Sequence, residues 1–253
     1  MFFYIILFSL IGGVFSLIGG LILLHKENLA KKFSIHFISF AAGTLLGAVF
    51  FDLLPESAKT GLALQEILKW TLIGFVILFL IEGIFKIHMH HHEEMHHEGH
   101  LHSTTTPWML LLGDTVHNFL DGVAITVAFI TSFPLGVITA LAIAAHEIPQ
   151  EIGDFAVMLG SGWKKRKVLF WNIVAASMTT LGAILTFIFQ DFVEPRTGYL
   201  LALTAGMFIY IAAADLIPEI HHTKREEHDK PSHVISLFLI GIILINFLVR
   251  FLE

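Results

Sequence analysis

The chain has 253 residues, of which 55% are hydrophobic and only 14% are charged, and its mean hydropathy is +0.78. A soluble domain carries roughly a quarter charged residues, so this composition indicates a polytopic membrane protein. The formal net charge of −6, without a basic face interleaved with aromatic residues, argues against a nucleic-acid partner. Because the chain has no cysteine, disulfides and thiolate metal sites are excluded.

Eight apolar stretches follow one another along the chain, each long enough, at about 20 residues, to cross a bilayer as a helix. The first lacks a basic leader region and a cleavage motif, so we expect a retained span rather than a signal peptide. The predicted fold is an all-α integral membrane protein of eight transmembrane helices, forming a single transmembrane domain over residues 1–253. The predicted spans are 2–24, 33–54, 67–87, 108–130, 134–159, 168–190, 199–219 and 233–251.

The basic residues of the loops predict the orientation of these spans. Eleven of the 15 Lys and Arg residues fall in one set of alternate connections and four in the other. Because positive charge marks the cytoplasmic side, we expect both termini to be extracytoplasmic in a multi-pass protein of the cell (plasma or inner) membrane. Two histidine-containing loops, 88–107 and 220–232, are then cytoplasmic.

Two segments of the chain repeat a pattern. Residues 42–56 and 205–219 share Ala-Gly, eight further residues and then Asp-Leu-Leu/Ile-Pro-Glu, at an offset of 163. The copies lie in the second and seventh spans, which run in opposite directions. Inverted repeats commonly flank a site at mid-membrane, whereas chance similarity between two apolar helices ending in Pro is the alternative.

The fourth and fifth predicted spans contain polar side chains at mid-depth. His117 and Asp121 are one turn apart on the fourth span, and His146 and Gln150 are one turn apart on the fifth, where Pro149 should kink the helix. Asn118 and Asp114, and Glu147 and Glu151, add further polar groups. Charged groups at this depth are costly and therefore face inward. Imidazole with carboxylate oxygen suits zinc and other first-row divalent ions, whereas purely structural packing is the alternative.

The motifs HNFLDG at 117–122 and HEIPQEIGDFAV at 146–157 resemble the paired signatures of the ZIP (ZRT/IRT-like protein) family of metal transporters. The resemblance covers nearly the whole chain, including the eight spans, the outward termini, the His-rich loop and the Pro-Glu endings. It implies two inverted three-helix repeats around a central pair of helices. It also implies transport of divalent transition-metal cations, with zinc uptake into the cytoplasm expected and iron, manganese and cadmium as further candidates.

The resemblance also implies roles for individual residues. His117, Asp121, His146 and Gln150 would line one metal position, and Asn118, Glu147 and Glu151 would serve an adjacent one. The chain is closest to the subfamily whose fifth span reads HExPHE, and it departs from that pattern at Gln150, where His is usual. An amide oxygen is a weaker and harder ligand than imidazole, so the preference for zinc over iron or manganese stays open.

Further candidate sites lie outside these two motifs. Residues 88–102 contain eight of the 16 histidines, and such tracts bind metals loosely, although a solvated linker is the alternative. These histidines are His88, His90, His91, His92, His96, His97, His100 and His102. Acidic residues near span ends could attract cations at an entrance or exit, or be solvated helix-end acids. They are Asp52, Glu56, Asp215 and Glu219.

Other functions are weaker alternatives. HExxH marks zinc proteases, but here Gln150 replaces the second histidine, so an enzyme is not expected. A cation-diffusion-facilitator-like exporter would resemble six spans with a cytoplasmic domain, and a metal-sensing receptor or structural membrane protein has little support. We expect divalent metal ions as substrate, no cofactor, the lipid bilayer as surroundings, a homodimer and no nucleic acid.

Overall fold

The computed structural model describes residues 1–93, 105–222 and 231–252, and within them it does not describe the side chains of residues 27–32, 82, 84–93, 105, 106, 109 and 222. Throughout the described ranges the chain is helical and contains no strand, which confirms the all-α prediction.

Within the described ranges the chain forms eight consecutive helical segments, named here α1 to α8. Three of them, α1, α2 and α7, are interrupted by 3-10 or π turns. α1 comprises Phe2–Gly12, a 3-10 turn at Val14–Leu17 and Ile18–His25; α2 comprises Glu27–Ala48, a π turn at Val49–Leu53 and Leu54–Lys59; α3 is Leu64–Glu93; α4 is Thr105–Thr131; α5 is Phe133–Gly160; α6 is Lys165–Ile188; α7 comprises Gln190–Val193, a 3-10 turn at Glu194–Arg196, Thr197–Tyr210, a π turn at Ile211–Leu216 and Ile217–His222; and α8 is Pro231–Leu252.

Six of these segments, in the part of the chain that the structure describes, have the length and apolar composition of membrane spans. They are Phe2–His25, Phe33–Lys59, Leu64–Ile81, Lys165–Ile188, Gln190–His221 and Pro231–Leu252. α4 and α5 are 27 and 28 residues long, but their polar side chains lower their hydropathy. The prediction of eight spans is therefore supported for six of them and stays a prediction for α4 and α5.

Local breaks distinguish the helices from the uniform spans expected from hydropathy. A Cβ at Gly13 would lie 2.5 Å from the carbonyl oxygen of Ala176, so the break in α1 lies where this helix presses against α6. The two π turns come just before Pro55 and Pro218. Since a proline ring clashes with the carbonyl four residues earlier, widening the preceding turn relieves that clash. α5, in contrast, continues as an α-helix through Pro149.

Three pairs of helices pack along each other: α4 with α6, α2 with α8, and α3 with α7. Glycines allow these close contacts. A Cβ would lie 1.9 Å from the Thr179 carbonyl oxygen if built on Gly122, and 1.8 Å from the Thr71 carbonyl oxygen if built on Gly206. Small residues of this kind let helix backbones approach each other in membranes.

The core is centred on α4 and α5. Ile125 and Phe129 of α4 and Ile138 and Ile143 of α5 are fully buried among the other helices. The outer helices instead expose large apolar side chains, such as Leu72 of α3, which is 62% exposed. The central pair therefore has protein around its polar face, which is the arrangement that polar groups at membrane depth require.

Candidate metal site

Four of the predicted site residues meet between α4 and α5. One ligand atom from each of His117, Asp121, His146 and Glu147 lies within 4.8 Å of the other three. The two imidazoles face each other, with 3.1 Å between their Nε2 atoms. Asp121 Oδ2 lies 3.8 Å from His117 Nε2 and 3.5 Å from His146 Nε2. Glu147 Oε1 lies 3.5 Å from each of the two Nε2 atoms.

These separations match the edges of a small coordination polyhedron. Ligand atoms held at about 2.0–2.1 Å around a tetrahedral zinc ion lie roughly 3.3 Å from one another. The five measured separations run from 3.1 to 3.8 Å. The sixth separation, between a carboxylate oxygen of Asp121 and one of Glu147, is within 4.8 Å, so the four groups could hold a divalent ion of zinc's size once the carboxylates move towards it.

The helices themselves place the four side chains. His117 and Asp121 are four residues apart on α4 and therefore share a face. α5 begins after Ser132, whose hydroxyl accepts a hydrogen bond from the Leu135 N–H and caps the helix. His146 Nδ1 lies 3.3 Å from the Ala142 carbonyl oxygen of its own helix. Nδ1 is thereby occupied, and Nε2 faces the other three ligand atoms.

The site is buried and its carboxylates are poorly satisfied. His146 and Glu147 are 0% exposed and Asp121 is 1% exposed, while the His117 side chain is 13% exposed. Both Glu147 oxygens and Asp121 Oδ2 have no hydrogen-bond partner among the described residues. Buried carboxylates without partners are costly, and a divalent cation among them would remove that cost.

The amides of Asn118 and Gln150 are hydrogen-bonded to another residue, Asp114. The Asn118 Nδ2 donates to Asp114 Oδ1 at 2.9 Å, and Gln150 Nε2 donates to the same oxygen at 3.4 Å. The side-chain oxygen of Asn118, Oδ1, accepts a hydrogen bond from the Thr179 hydroxyl of α6 at 2.7 Å. Their roles as metal ligands, and that of the buried Glu151, stay predictions.

The predicted entrance and exit acids are not members of this group of four side chains. Asp52 is buried within the π turn of α2, and Glu56 one turn later forms an ion pair with the exposed Lys59. Asp215 is half-buried in the π turn of α7, whereas Glu219 is exposed. None of these acids belongs to the metal-holding group found among the described residues, so an entrance or exit role stays a prediction.

The two predicted cytoplasmic loops, the His-rich loop 88–107 with its candidate metal-binding histidines and the basic and histidine-containing loop 220–232, lie partly outside the described residues. Residues 88–93 continue α3, but their side chains lie outside the described part of the chain, as do residues 94–104. In the second loop, residues 223–230 lie outside the described ranges as well.

Two buried acids were not among the predicted site residues. Asp114 is 5% exposed and Asp154 is 7% exposed, and each has one carboxylate oxygen without a partner within the described ranges. Both stand at helical spacings from the predicted ligands: Asp114 precedes His117 by three residues, and Asp154 follows Gln150 by four. Asp114 was noted from the sequence as a polar group of the fourth span but not as a site residue, and the same periodicity is the signal that could have identified Asp154.

Comparison with known proteins agrees with this geometry. A family model described as "ZIP Zinc transporter" matches residues 88–249, which is more than half of the chain. The chain belongs to the ZIP family. The matched range includes α4, α5 and all four side chains of the site.

Curated members of the ZIP family show what the chain is similar to. Zinc transporter ZIP10 of Danio rerio is 38% identical over 123 residues, covering 49% of this chain and 14% of that protein. Metal cation symporter ZIP14 of Danio rerio is 38% identical over 125 residues, covering 49% of this chain and 25% of that protein. Human zinc transporter ZIP4 is 38% identical over 112 residues, covering 44% of this chain and 17% of that protein. The chain therefore matches between about a seventh and a quarter of the length of these relatives.

Membership of the ZIP family decides between the alternatives. ZIP proteins are transporters and not enzymes, so the HExxH-like spacing at His146 does not mark a protease. The match also places the chain in a different family from the cation-diffusion facilitators.

Proposed function

We propose that this protein carries divalent transition-metal cations, zinc first among them, across a membrane and into the cytoplasm. The ion would pass between His117, Asp121, His146 and Glu147. The observation that supports this most is the buried set of two imidazoles and two carboxylates with separations of 3.1 to 3.8 Å. The names of the relatives, zinc transporters and a metal cation symporter, point the same way.

The donor types of the site favour release as well as binding. Structural zinc sites are closed, four-coordinate and often built from thiolates, whereas this chain has no cysteine. A set of imidazole and carboxylate donors suits zinc, iron and manganese. Transport requires that binding be strong enough for the ion to enter and weak enough for it to leave.

We infer that α4 and α5 cross the membrane together with the six more apolar helices. Their 27 and 28 residues correspond to about 40 Å of helix, which exceeds the roughly 30 Å of bilayer hydrocarbon. Their polar faces point at each other, which is the placement expected of charged groups at membrane depth. If all eight helices cross, 11 of the 15 Lys and Arg residues lie on the cytoplasmic side and four on the other, as expected for the orientation of membrane proteins. Both termini are then extracytoplasmic.

Helix packing supports two inverted three-helix repeats, α1–α3 and α6–α8. Gly43 of α2 faces the Phe238 carbonyl oxygen of α8, and Gly206 of α7 faces the Thr71 carbonyl oxygen of α3. The two glycines are 163 residues apart, which is the offset of the sequence repeat. The π turns of α2 and α7 also occupy equivalent places in the two copies. The packing of α2 against α8 in one direction therefore corresponds to the packing of α7 against α3 in the other, as two inverted repeats require.

The same relation extends to the central pair. Gly182 of α6 faces the Phe119 carbonyl oxygen of α4, and Gly19 of α1 faces the Ile148 carbonyl oxygen of α5. Gly19 and Gly182 are again 163 residues apart. Phe119 and Ile148 are 29 residues apart, as are His117 and His146. The two histidines are therefore equivalent positions on either side of a pseudo-twofold axis, which is a common location for a transport site.

The proposal includes a setting for the protein: a multi-pass homodimer in the cell membrane, with divalent metal ions as the substrate and no cofactor. The apolar side chains exposed on α3 and α8 fit contact with lipid or with a second copy.

The test is metal uptake into proteoliposomes that contain the purified protein, with zinc, iron, manganese and cadmium compared. Wild type should take up zinc, and the His117→Ala, His146→Ala double variant should lose most of the flux while remaining inserted. The matched control is His233→Ala, because His233 is exposed at the start of α8; its flux should equal that of wild type. Wild-type flux in the double variant would show that the ion takes another route.

A further inference from the structure

Three side-chain hydrogen bonds in series join α6, α4 and α5 beside the metal site. Thr179 Oγ1 of α6 donates to Asn118 Oδ1 of α4 at 2.7 Å. Asn118 Nδ2 then donates to Asp114 Oδ1 at 2.9 Å. Gln150 Nε2 of α5 donates to the same Asp114 oxygen at 3.4 Å, the longest of the three bonds. The series therefore begins on a helix that supplies none of the four site residues and ends on one that supplies two.

This series lies where the two halves of the site must be held together. The four site residues are divided between α4 and α5, so the separation of their ligand atoms depends on how these helices are fixed. Asn118 directly follows His117 on α4, and Gln150 stands one turn after His146 on α5. The series thus connects α4 to α5 next to both histidines.

The Thr179 hydroxyl makes an unusual bond for a threonine in a helix. The hydroxyls of Thr115, Thr131 and Thr186 each donate to the carbonyl oxygen four residues earlier in their own helix, which is the common local arrangement. Thr179 instead reaches a side chain 61 residues away. Thr179 and Asn118 are both 0% exposed, so neither group can turn to solvent for a partner.

Two glycines make room for Thr179 in this position. A Cβ on Gly13, at the break in α1, would lie 2.8 Å from Thr179 Oγ1, and a Cβ on Gly122 of α4 would lie 1.9 Å from the Thr179 carbonyl oxygen. Thr179 is therefore enclosed where α1, α4 and α6 meet. Its side chain has little space in which to turn away from Asn118.

The bond from Thr179 also matches the direction of the Asn118 amide. Asp114 accepts from Asn118 through both a carboxylate oxygen and its backbone carbonyl, and only the nitrogen of an amide can donate. The Asn118 oxygen must then face α6, where the Thr179 hydroxyl supplies its donor. Gln150 likewise has its nitrogen on Asp114, so its oxygen points away from that carboxylate, which is the orientation that a ligand role for Gln150 requires.

We propose that Thr179 is a positioning residue for the metal site. Its hydroxyl orients the Asn118 amide, and that amide holds the Asp114 carboxylate to which Gln150 of α5 is bonded. This inference rests on the proposed function, because it requires an ion between the four side chains. Groups that hold the surroundings of metal ligands in place raise the affinity of a site for its metal. Without the hydroxyl the Asn118 amide can turn, the connection between α4 and α5 loosens, and the ion is bound less tightly.

Zinc binding to the purified full-length protein tests this role, measured by competition with a chromophoric chelator. The binding that is lost in the His117→Ala, His146→Ala variant reports the four-residue site. Thr179→Val keeps the shape of the side chain without the hydroxyl and should weaken that binding several-fold. Thr179→Ser keeps the hydroxyl and should bind zinc nearly as wild type does. The matched control is Thr126→Val, because the buried Thr126 hydroxyl also joins α4 to α6, by donating to a backbone carbonyl oxygen at 3.2 Å; it should bind zinc as wild type does.

Three results would overturn the proposal. Wild-type affinity in Thr179→Val would mean that the hydroxyl positions nothing. Equal losses in Thr179→Val and Thr179→Ser would assign the effect to the methyl group and its packing. An equal loss in Thr126→Val would assign it to the general attachment of α4 to α6. If Thr179→Val does not fold, Thr179→Ala makes the same comparison with Thr179→Ser.

A double variant shows whether Thr179 acts through Asn118. Thr179→Val combined with Asn118→Ala should bind zinc as weakly as Asn118→Ala alone, because the hydroxyl then has no amide to orient. Losses that multiply in the double variant would contradict the proposal. None of these measurements involves transport, so a protein that binds zinc as expected and carries none across the membrane would contradict the proposed function and leave the positioning role intact.

Discussion

Asn118 shows that a polar residue in the central pair can hold helices together. Its side-chain Oδ1 accepts a hydrogen bond from the Thr179 hydroxyl of α6, and its side-chain Nδ2 donates to Asp114. The first bond fixes α4 on α6, and the second orients a carboxylate beside the site. A motif in the sequence names the residue types, but it does not distinguish a ligand from a residue that positions one.

Gln150 should set the preference between ions. Replacing it by His places an imidazole one turn after His146, and imidazole is a softer donor than an amide oxygen. The Gln150→His variant should raise the ratio of zinc uptake to manganese uptake, measured as initial rates in proteoliposomes. Absolute zinc flux can fall at the same time, because an ion held more tightly leaves more slowly. An unchanged ratio would mean that Gln150 does not contact the ion.

Much of the site could be predicted from residue spacing. His117 and Asp121 share a face at four residues apart, and the polar groups of both central helices stand at similar depth. Asp154 was missed although it lies within the motif at 146–157 and, four residues after Gln150, continues the same face. The hydrogen bond from Thr179 could not be predicted, because it depends on how α6 packs on α4.

At the scale of elements, glycines fix how closely the helices pack. Gly206 is buried where α7 crosses α3, whereas Gly153 of α5 has no atom within 4 Å of the place of a Cβ. Hydropathy identifies the spans, because it reports apolar length. It does not identify the 3-10 turn of α1, which depends on a contact with α6, or the π turns of α2 and α7, each of which ends two residues before a proline.

Substituting these two glycines should have opposite effects on stability. A Cβ at position 206 would lie 1.8 Å from the Thr71 carbonyl oxygen, so Gly206→Ala must push α7 away from α3, at a cost of about 1–3 kcal/mol. Gly153→Ala meets no neighbour and should stabilise its helix by up to about 1 kcal/mol. Thermal unfolding in detergent measures both. Equal melting temperatures for Gly206→Ala and wild type would contradict the close contact.

At the scale of the whole molecule, the central question is whether α4 and α5 cross the membrane. Phe133, at the junction between them, is 42% exposed. If both helices cross, this junction is extracytoplasmic; if neither crosses, it is cytoplasmic. The junctions at Thr60 and Lys164 lie on opposite sides in either arrangement, the first outside and the second inside.

The absence of cysteine makes this topology directly measurable. Single cysteines at the three exposed positions can be labelled in intact cells with a membrane-impermeant maleimide. Thr60→Cys and Phe133→Cys should label without permeabilisation, and Lys164→Cys should label only after it. Labelling of Phe133→Cys only after permeabilisation would leave six spans and remove the mid-membrane site.

The most direct test of the central claim is anomalous scattering from a crystal of the protein soaked with Cd²⁺ or Zn²⁺. An ion should lie between His117, Asp121, His146 and Glu147. For zinc, the distances to the two Nε2 atoms and the two carboxylate oxygens should be about 2.0–2.2 Å. A strong anomalous peak elsewhere in the helical core, with none between these four side chains, would contradict the account.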